Sequence, residues 1–339
     1  MSEYVKKNLA FLISTRGQAW AAANVALGIN KYMACNIEYD IVVYYDSFSE
    51  ADIAAFLKIP RVQLQCFSLP DRFQEQMVQR MDNTNRFASP GGLMAFSHYE
   101  IFGLLENYRK VCWLDTDMSI QNEISELAAF SGFTITDDAE WPVRTQFYNP
   151  IKGYDMDRQG VCTAFIVVDD TLPHRKLYQW CYEKSLEFAE HLLNPDQGII
   201  SLALQEFNIS PNIIPSNIWQ CTPFRPFVHI AKIVHLSEGW KPWNYAALIK
   251  KFPEWYRRHL DWLKLGGDDF PNHFSMDLLN RLMPENLDKP FYRIKKIKLF
   301  GITFISKEQK TTEKKEAIKF YLFNKVLLAE KIKRHLPKE

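Results

Sequence analysis

The 339-residue chain is 47% apolar and 24% charged, with a net charge of +1 at pH 7. This composition excludes disorder and collagen-like repeats, and the length suits one large domain or two smaller ones. No apolar run approaches the roughly 18 residues of a membrane span, and the apolar part of the first segment is too short for a signal peptide. The cysteines show no metal-binding spacing, which indicates a reducing cytoplasm. The aromatic content of 14% suggests that some rings line a ligand site.

The charge is unevenly distributed. Residues 289–339 contain 15 Lys and Arg against 5 Glu, a net charge of +10, which leaves −9 for the rest of a chain whose total is +1. An acidic body with a basic, aromatic-containing tail is typical of a domain that attaches to an anionic surface. A solvated helical tail is the alternative. The tail has no interleaved stacking platform, which argues against nucleic acid as a partner.

Short apolar strands alternate with helices in the first part of the chain. The expected elements are, in order, strand Leu9–Ser14, helix Ala19–Asn30, strand Tyr39–Tyr45, a helix from Ser49, strand Val62–Phe67, helix Phe96–Asn107 and strand Lys110–Leu114. This alternation predicts an α/β fold with a mostly parallel sheet, helices on both faces and ligands at the carboxyl ends of the strands.

The second half continues this pattern and then leaves it. The expected elements are a binding loop or lid over Thr134–Gly160, strand Ala164–Val168, helix His174–Glu190 and a helix start at Asn194-Pro195. We place a boundary between Pro284 and Pro290, which gives a catalytic domain over 1–286 and a basic amphipathic tail over 287–339. In the tail we expect a hairpin over Ile297–Ile305 and a helix over Thr312–His335.

Two carboxylates follow the apolar strand KVCWL. Asp115 and Asp117 stand two residues apart at its end, so they can converge on one point beyond the sheet. Two hard oxygen ligands suit Mg²⁺ or Mn²⁺, which usually completes its shell with substrate phosphates. A second pair, Asp155 and Asp157, lies in a loop with no strand to aim it, and we interpret it as a solvated turn.

A second constellation follows the apolar strand KIVHL. His235 ends this strand and offers a third metal ligand, although a lone histidine there also fits a core position. Gly239 would let the backbone approach a phosphate. Lys241 would place a positive charge on a pyrophosphate leaving group.

Together these motifs resemble glycosyltransferase family 8, which includes bacterial lipopolysaccharide galactosyl- and glucosyltransferases and glycogenin. The likeness covers roughly Asn8 to Tyr245, and its specific part is the stretch HLSEGWKPW, similar to the family's His-x-x-Gly-x-x-Lys-Pro-Trp. The resemblance implies a GT-A fold with a Rossmann-like, mostly parallel sheet. It further implies a retaining, Mn²⁺-dependent (or Mg²⁺-dependent) transfer of a hexose from a UDP-sugar to a surface glycan or glycolipid such as lipopolysaccharide, lipooligosaccharide or capsule.

The resemblance also implies roles for individual residues. The implied metal ligands are Asp115, Asp117 and His235; the implied donor contacts are Ser14, Thr15, His98, Asp115, Gly239 and Lys241; and the implied catalytic pair is Asp196 and Gln197, beside the reacting sugar carbon. We favour front-face attack by the acceptor hydroxyl, and a double displacement through Asp196 stays open.

Three positions depart from the family. Members usually carry an acidic residue and a Tyr after the first strand, an Arg where this chain has His98, and Asn-Ala-Gly where it has Cys162-Thr163-Ala164. These changes motivate an alternative function as a non-catalytic nucleotide- or partner-binding member of a polysaccharide assembly complex. In either case we expect a cytoplasmic protein, held by its tail at the inner face of the cell membrane.

Overall fold

A computed structural model of the chain describes residues 6–80, 92–138, 141–226, 228–237 and 240–271. Within the tail it describes the backbone of four strands. The expectations for Gly239 and for the boundary near 284–290 therefore lie outside the described residues.

Strands of the body form one large sheet and one short pair. In chain order they are β1 (Lys7–Thr15), β2 (Asp40–Tyr45), β3 (Val62–Cys66), β4 (Tyr108–Leu114), β5 (Met118–Ile120), β6 (Phe133–Thr136), β7 (Phe165–Asp169), β8 (Asn212–Ile214) and β9 (Ile233–His235). The large sheet has the order β3-β2-β1-β4-β7-β6-β8, and β5 pairs with β9. Strands β3, β2, β1 and β4 run parallel, whereas β7 is antiparallel to both of its neighbours. The α/β expectation is confirmed, with a mixed sheet.

Helices cover both faces of this sheet. They are α1 (Ala19–Tyr32), α2 (Glu50–Phe56), α3 (Asp71–Arg80), α4 (Glu100–Gly103), α5 (His174–Glu187), α6 (Pro195–Glu206), α7 (Ser216–Trp219), α8 (Ala246–Lys251) and α9 (Pro253–Leu265). Short 3₁₀ turns span Gly92–Tyr99, Leu104–Glu106, Ser125–Ala129, Val143–Gln146, Ala189–His191 and Val228–Ile230. The helix expected over Phe96–Asn107 is therefore one α-helical turn flanked by 3₁₀ turns.

The residues of β1 show how the core is divided. Ala10 and Leu12 pack in the apolar cluster on one face of the sheet, with α5 and α6. Phe11 and Ile13 pack on the other face, with the alanine-rich helix α1. A strand buried on both faces reads as a continuous apolar run, which is why the sequence identified it.

The loop expected over Thr134–Gly160 is only partly a loop. Its first residues complete β6, and its Val143–Gln146 turn is packed into the core through Gln146, whose side chain is fully buried. Gln146 Nε2 donates to the carbonyl of Val161 at 2.9 Å, and Ser201 Oγ donates to Gln146 Oε1 at 2.8 Å. These hydrogen bonds fix the segment against α6. Residues 143–146 therefore do not form a free lid.

The tail forms a separate sheet of four antiparallel strands. They are β10 (Tyr292–Leu299), β11 (Ile302–Thr311), β12 (Lys315–Leu322) and β13 (Val326–Arg334). The hairpin expected near Gly301 is present as β10 and β11, but the helix expected over Thr312–His335 is wrong. Its apolar residues are largely aromatic and β-branched, a composition that favours strands. No helix among the described residues is long and apolar enough to span a bilayer.

Candidate active site

The short β5–β9 pair brings the predicted ligands together. Asp115 follows β4, where its N–H donates to the carbonyl of Ala164 at 3.1 Å. The chain then turns into β5, whose Met118 lies opposite His235 of β9. As a result, ligand atoms of Asp115, Asp117 and His235 all lie within 4.8 Å of one another.

Asp117 is surrounded by positive charge. Its Oδ1 lies 3.3 Å from His235 Nε2, and Lys241 Nζ contacts its Oδ2. Burial alone would raise the pKa of Asp117, but the charges of His235 and Lys241 outweigh burial and lower it to about 2. Asp117 is therefore a carboxylate at every physiological pH.

These residues fit a divalent cation. Asp117 Oδ1 is buried and has no hydrogen-bond partner among the residues that the structure describes, which leaves an acceptor suited to ligation. Two carboxylates and one imidazole are a ligand set that a divalent cation accepts. The amide nitrogen of Gln220 lies 3.4 Å from Nδ1 of His235.

His98 connects the metal-side carboxylate with helix α6. Its ring stacks on Trp113, with centroids 3.7 Å apart. Its Nε2 lies 3.6 Å from Asp115 Oδ1, and its Nδ1 lies 3.5 Å from Asp196 Oδ2. Burial would lower the pKa of His98, but the charges of Asp196 and Asp115 raise it. The ring of His98, between two carboxylates, thus links the end of β4 to the start of α6.

The predicted catalytic pair occupies the first turn of α6, which begins at Pro195. Asp196 is buried, and its Oδ2 accepts a hydrogen bond from Thr163 Oγ1 at 2.5 Å. The helix start packs closely on Phe147, because a Cβ added at Gly198 would lie 2.8 Å from that ring. Gln197 Oε1 is buried with no hydrogen-bond partner within the described part of the chain.

A cavity of about 460 Å³ opens at the carboxyl ends of β1 and β4. Its volume falls in the range of small-molecule sites. It is lined by Ser14, Thr15, Arg16, Gln18, Met94, Ala95, Ser97, His98, Trp113, Asp115, Thr116, Asp117, Lys241, Trp243 and Asn244. One wall is polar, since Ser97 Oγ donates to Ser14 Oγ at 2.7 Å, and another carries the charged groups.

Most of the predicted site residues meet at this cavity, but not all do. Those lining it are Ser14, Thr15, His98, Asp115, Asp117 and Lys241, whereas His235, Asp196 and Gln197 are not among the lining residues. The family's glycine falls three residues after the histidine, a place that Glu238 occupies in this chain, with Gly239 following. Gly239, for which a diphosphate contact was inferred, therefore lies one position later than the glycine of the family motif.

The second Asp-x-Asp pair, Asp155 and Asp157, lies in a turn. Asp155 Oδ1 accepts from the backbone N–H groups of Asp157 and Arg158 at 3.0 and 3.1 Å. Asp157 itself forms an ion pair with Arg144. Both carboxylates are engaged within the loop, as expected for a turn.

Sequence reasoning missed Trp113 and Thr163. Trp113 Nε1 donates to Asp115 Oδ1 at 2.7 Å, and Thr163 holds Asp196. Trp113 precedes Asp115 by two residues, so strand periodicity alone could have placed both on the same side of the sheet. No local signal linked Thr163 to Asp196, because the contact depends on how α6 meets the sheet.

The fold is shared with known glycosyltransferases. The structure matches the bifunctional glycosyltransferase WbbM in its apo form, with a TM-score of 0.54 at 15% identity, over 78% of this chain and 53% of that one. It also matches the galactosyltransferase LgtC in complex with donor and acceptor sugar analogues, with a TM-score of 0.51 at 12% identity, over 74% of this chain and 95% of that one. The chain thus spans about half of the length of WbbM.

No protein-family model and no curated protein sequence matches the chain. The structural matches confirm the GT-A type of fold. Membership of family 8 stays a prediction.

Proposed function

We propose that this protein is a retaining hexosyltransferase that uses a UDP-sugar donor and Mn²⁺. The observation that carries the proposal is that Asp115, Asp117 and Lys241 line the same cavity, with a ligand atom of His235 within 4.8 Å of those of both carboxylates. With a cation held by the two carboxylates, a wall of this kind, in a fold shared with glycosyltransferases, suits a nucleotide diphosphate.

The residues divide the work of leaving-group departure. Asp115, Asp117 and His235 would hold the cation, which supplies positive charge that stabilises the departing diphosphate. Lys241, which contacts Asp117, adds a second positive charge at the same wall. Asp196 is buried and accepts a hydrogen bond from Thr163. We therefore assign Asp196 to positioning the sugar rather than to forming a covalent adduct. This arrangement favours front-face attack.

We propose that the acceptor is a surface glycan carried on a lipid. The solved complex of LgtC contains donor and acceptor sugar analogues, which supports a sugar acceptor for a chain of this fold. The tail charge of +10 supports a place at the inner face of the cell membrane, where the tail contacts anionic lipid.

Metal-dependent release of UDP tests the proposal. UDP-Gal, UDP-Glc, UDP-GlcNAc and UDP-GalNAc are each incubated with the protein and Mn²⁺, with and without EDTA. We expect one donor to release UDP in the presence of Mn²⁺ and none to do so with EDTA. A non-catalytic binding module would instead show a rise in melting temperature with UDP and Mn²⁺ but no metal-dependent release.

A further inference from the structure

A buried arginine lies behind the strand pair that unites the predicted metal ligands. Arg258 belongs to α9, and only 3% of its surface is exposed. Three hydrogen bonds hold its guanidinium group, and each of them ends on a neutral oxygen. The site described above gives this residue no role.

These hydrogen bonds join three elements of the fold. Arg258 Nε donates to Asn24 Oδ1 of α1 at 2.9 Å. Its Nη1 donates to the carbonyl of Ile120 and its Nη2 to Ser119 Oγ, both at 3.0 Å, and both acceptors belong to β5. Asn24 Nδ2 in turn donates to the carbonyl of Trp255, on α9, at 2.7 Å. The guanidinium group thus connects α1 and α9 to β5.

Strand β5 depends on such contacts for its position. It pairs with β9 over three residues, in a two-stranded unit that is separate from the seven-stranded sheet. A two-stranded pair of this length is marginally stable by itself, so the elements packed against it determine where it lies. One of them is α1, which comes so close that a Cβ added at Gly28 would lie 3.2 Å from Ile120 Cβ. Arg258 supplies the polar part of the same contact.

The position of β5 determines how far apart the two carboxylates of the metal site lie. Asp117 directly precedes β5, and its carbonyl accepts a hydrogen bond from the N–H of Leu236 at 2.9 Å. Asp115, by contrast, is attached to the main sheet, because its N–H donates to the carbonyl of Ala164. A shift of β5 against the main sheet would therefore move Asp117 away from Asp115.

A purely structural role would not require a charged side chain here. Burial lowers the pKa of Arg258 to about 10, because water that would stabilise its charge is excluded. Replacing buried ionic groups with apolar residues of similar volume is often neutral or even stabilising. The guanidinium group offers instead a rigid, planar set of donors, which specifies where its acceptors must lie. Such a group suits a residue that fixes the position of a strand.

We propose that Arg258 is a positioning residue for the metal site, which holds β5 where Asp117 and Asp115 converge on one cation. This role rests on the proposed metal-dependent function. It also gives α9, which follows the part of the chain that resembles family 8, a share in building the site.

Titration calorimetry with Mn²⁺ alone tests this role without requiring turnover. Arg258→Met keeps the length of the side chain but has no donors, and we expect it to bind Mn²⁺ about tenfold more weakly than the wild type. Ser119→Ala removes one acceptor and should weaken binding about threefold. In the metal-free protein, hydrogen exchange should become faster in β5 of Arg258→Met but should not change in β1.

The matched control is a variant that loses stability elsewhere. Leu177 is fully buried in α5, on the other face of the sheet, so Leu177→Ala should lower the melting temperature and leave the Mn²⁺ affinity unchanged. All titrations are made well below the melting temperatures of the variants.

The proposal is overturned by an unchanged Mn²⁺ affinity in Arg258→Met, by an equal loss in Leu177→Ala, or by absence of Mn²⁺ binding in the wild type. If Arg258→Met does not fold, Ser119→Ala decides in the same way. A wild-type protein that binds Mn²⁺ but releases no UDP would count against the transferase function alone.

Discussion

Asp117 is the residue on which the proposed metal site depends. Its carboxylate is held ionised by His235 and Lys241, and its Oδ1 has no hydrogen-bond partner among the described residues. A carboxylate in this state is available to a cation without first losing a proton.

Replacing Asp117 with Ala should abolish metal-dependent turnover. We expect a fall of about a hundredfold or more in the rate of UDP release, since one charged ligand is removed from the centre that stabilises the leaving group. Circular dichroism should show an intact fold, with a lowered melting temperature because His235 and Lys241 lose their counter-charge.

The matched control is the other Asp-x-Asp pair. Asp157→Ala changes a carboxylate that is exposed and paired with Arg144, so turnover should stay near the wild-type rate. A normal rate in Asp117→Ala, or equal losses in both variants, would contradict the metal assignment.

Removing the charge of Lys241 should strengthen metal binding but slow the transfer reaction. Its ammonium group contacts Asp117, so a divalent cation competes with it for that carboxylate. We expect Lys241→Met to bind Mn²⁺ about tenfold more tightly in the absence of nucleotide, because that competition is lost. Titration calorimetry measures this affinity.

Transfer should nevertheless become slower in the same variant. The charge of Lys241 matters most as the diphosphate departs, so kcat should fall by more than the KM for the UDP-sugar rises. Equal changes in both constants would show that Lys241 merely binds the donor. An unchanged Mn²⁺ affinity would show that it does not compete at Asp117.

At the scale of elements, a partly buried carboxyl joins α4 to α5. Glu100 Oε1 accepts hydrogen bonds from Tyr178 at 2.8 Å and Tyr182 at 2.9 Å. Burial raises the pKa of Glu100, although the two hydroxyls oppose the rise. The folded state therefore binds the proton more tightly than the unfolded state, so stability is greatest below the ordinary pKa and falls as pH rises through the raised one.

Glu100→Gln should remove that dependence of folding stability on pH. The amide oxygen keeps an acceptor for both tyrosines and carries no charge, so the variant should gain stability relative to wild type as pH rises from 4 towards neutral, about the range in which a buried carboxyl ionises. Urea unfolding across that range measures the difference.

A second glutamate gives a control of opposite sign. Glu106 is partly exposed, and its hydrogen bond from Arg175 lowers its pKa. Its contribution to stability is present above the ordinary pKa and is lost as pH falls through the lowered one, so Glu106→Gln should lose a little stability as pH rises. Parallel pH profiles for the two variants would refute the assignment for Glu100.

How far the elements could be predicted depends on where their residues are buried. Strand β1 was evident because Phe11 and Leu12 are buried on opposite faces, and α6 because Pro195 stands at its first position. The segment from Gly92 to Glu106 could not be predicted in detail, since its 3₁₀ turns follow from packing against β1 and α6. Gln146 belonged to an apparent loop, and only tertiary bonds to Val161 and Ser201 make it part of the core.

At the scale of the whole molecule, the sequence predicted the cluster of Asp115, Asp117 and His235 better than it predicted the structure of the tail. Asp117 and His235 lie 118 positions apart in the sequence, yet Asp117 directly precedes β5 and His235 ends β9, and the pairing of β5 with β9 unites them. In the tail, apolar residues such as Ile318 and Phe320 recur at spacings compatible with either a helix or a strand. Periodicity does not decide between the two in short runs, so the helix prediction failed.

The net charge of +10 is the observation behind the proposed contact of the tail with anionic lipid. Lys295 lies directly opposite Lys307 in the β10–β11 pair. Each Lys or Arg near an anionic membrane contributes about 1 kcal/mol to binding before salt screening, so a net excess of basic residues gives reversible attachment.

Removal of the tail should separate attachment from catalysis. Among the described strands, none of the tail pairs with the main sheet, so a protein that ends at Pro284 should stay folded and keep metal-dependent UDP release. It should no longer sediment with vesicles of phosphatidylcholine and phosphatidylglycerol. The opposing interpretation, in which the apolar residues of the tail pack on the catalytic domain, predicts instead a marked loss of stability on truncation.

Charge-neutral variants of the full chain complete the test without truncation. Lys295→Gln with Lys307→Gln should weaken sedimentation with anionic vesicles about tenfold, because two favourable charges are lost. Lys152→Gln with Lys176→Gln removes the same charge from exposed positions of the body and should leave sedimentation unchanged. The full-length protein should also detach as salt rises. Equal losses in the two double variants, salt-insensitive binding, or no binding by the full-length protein would refute the attachment role of the tail.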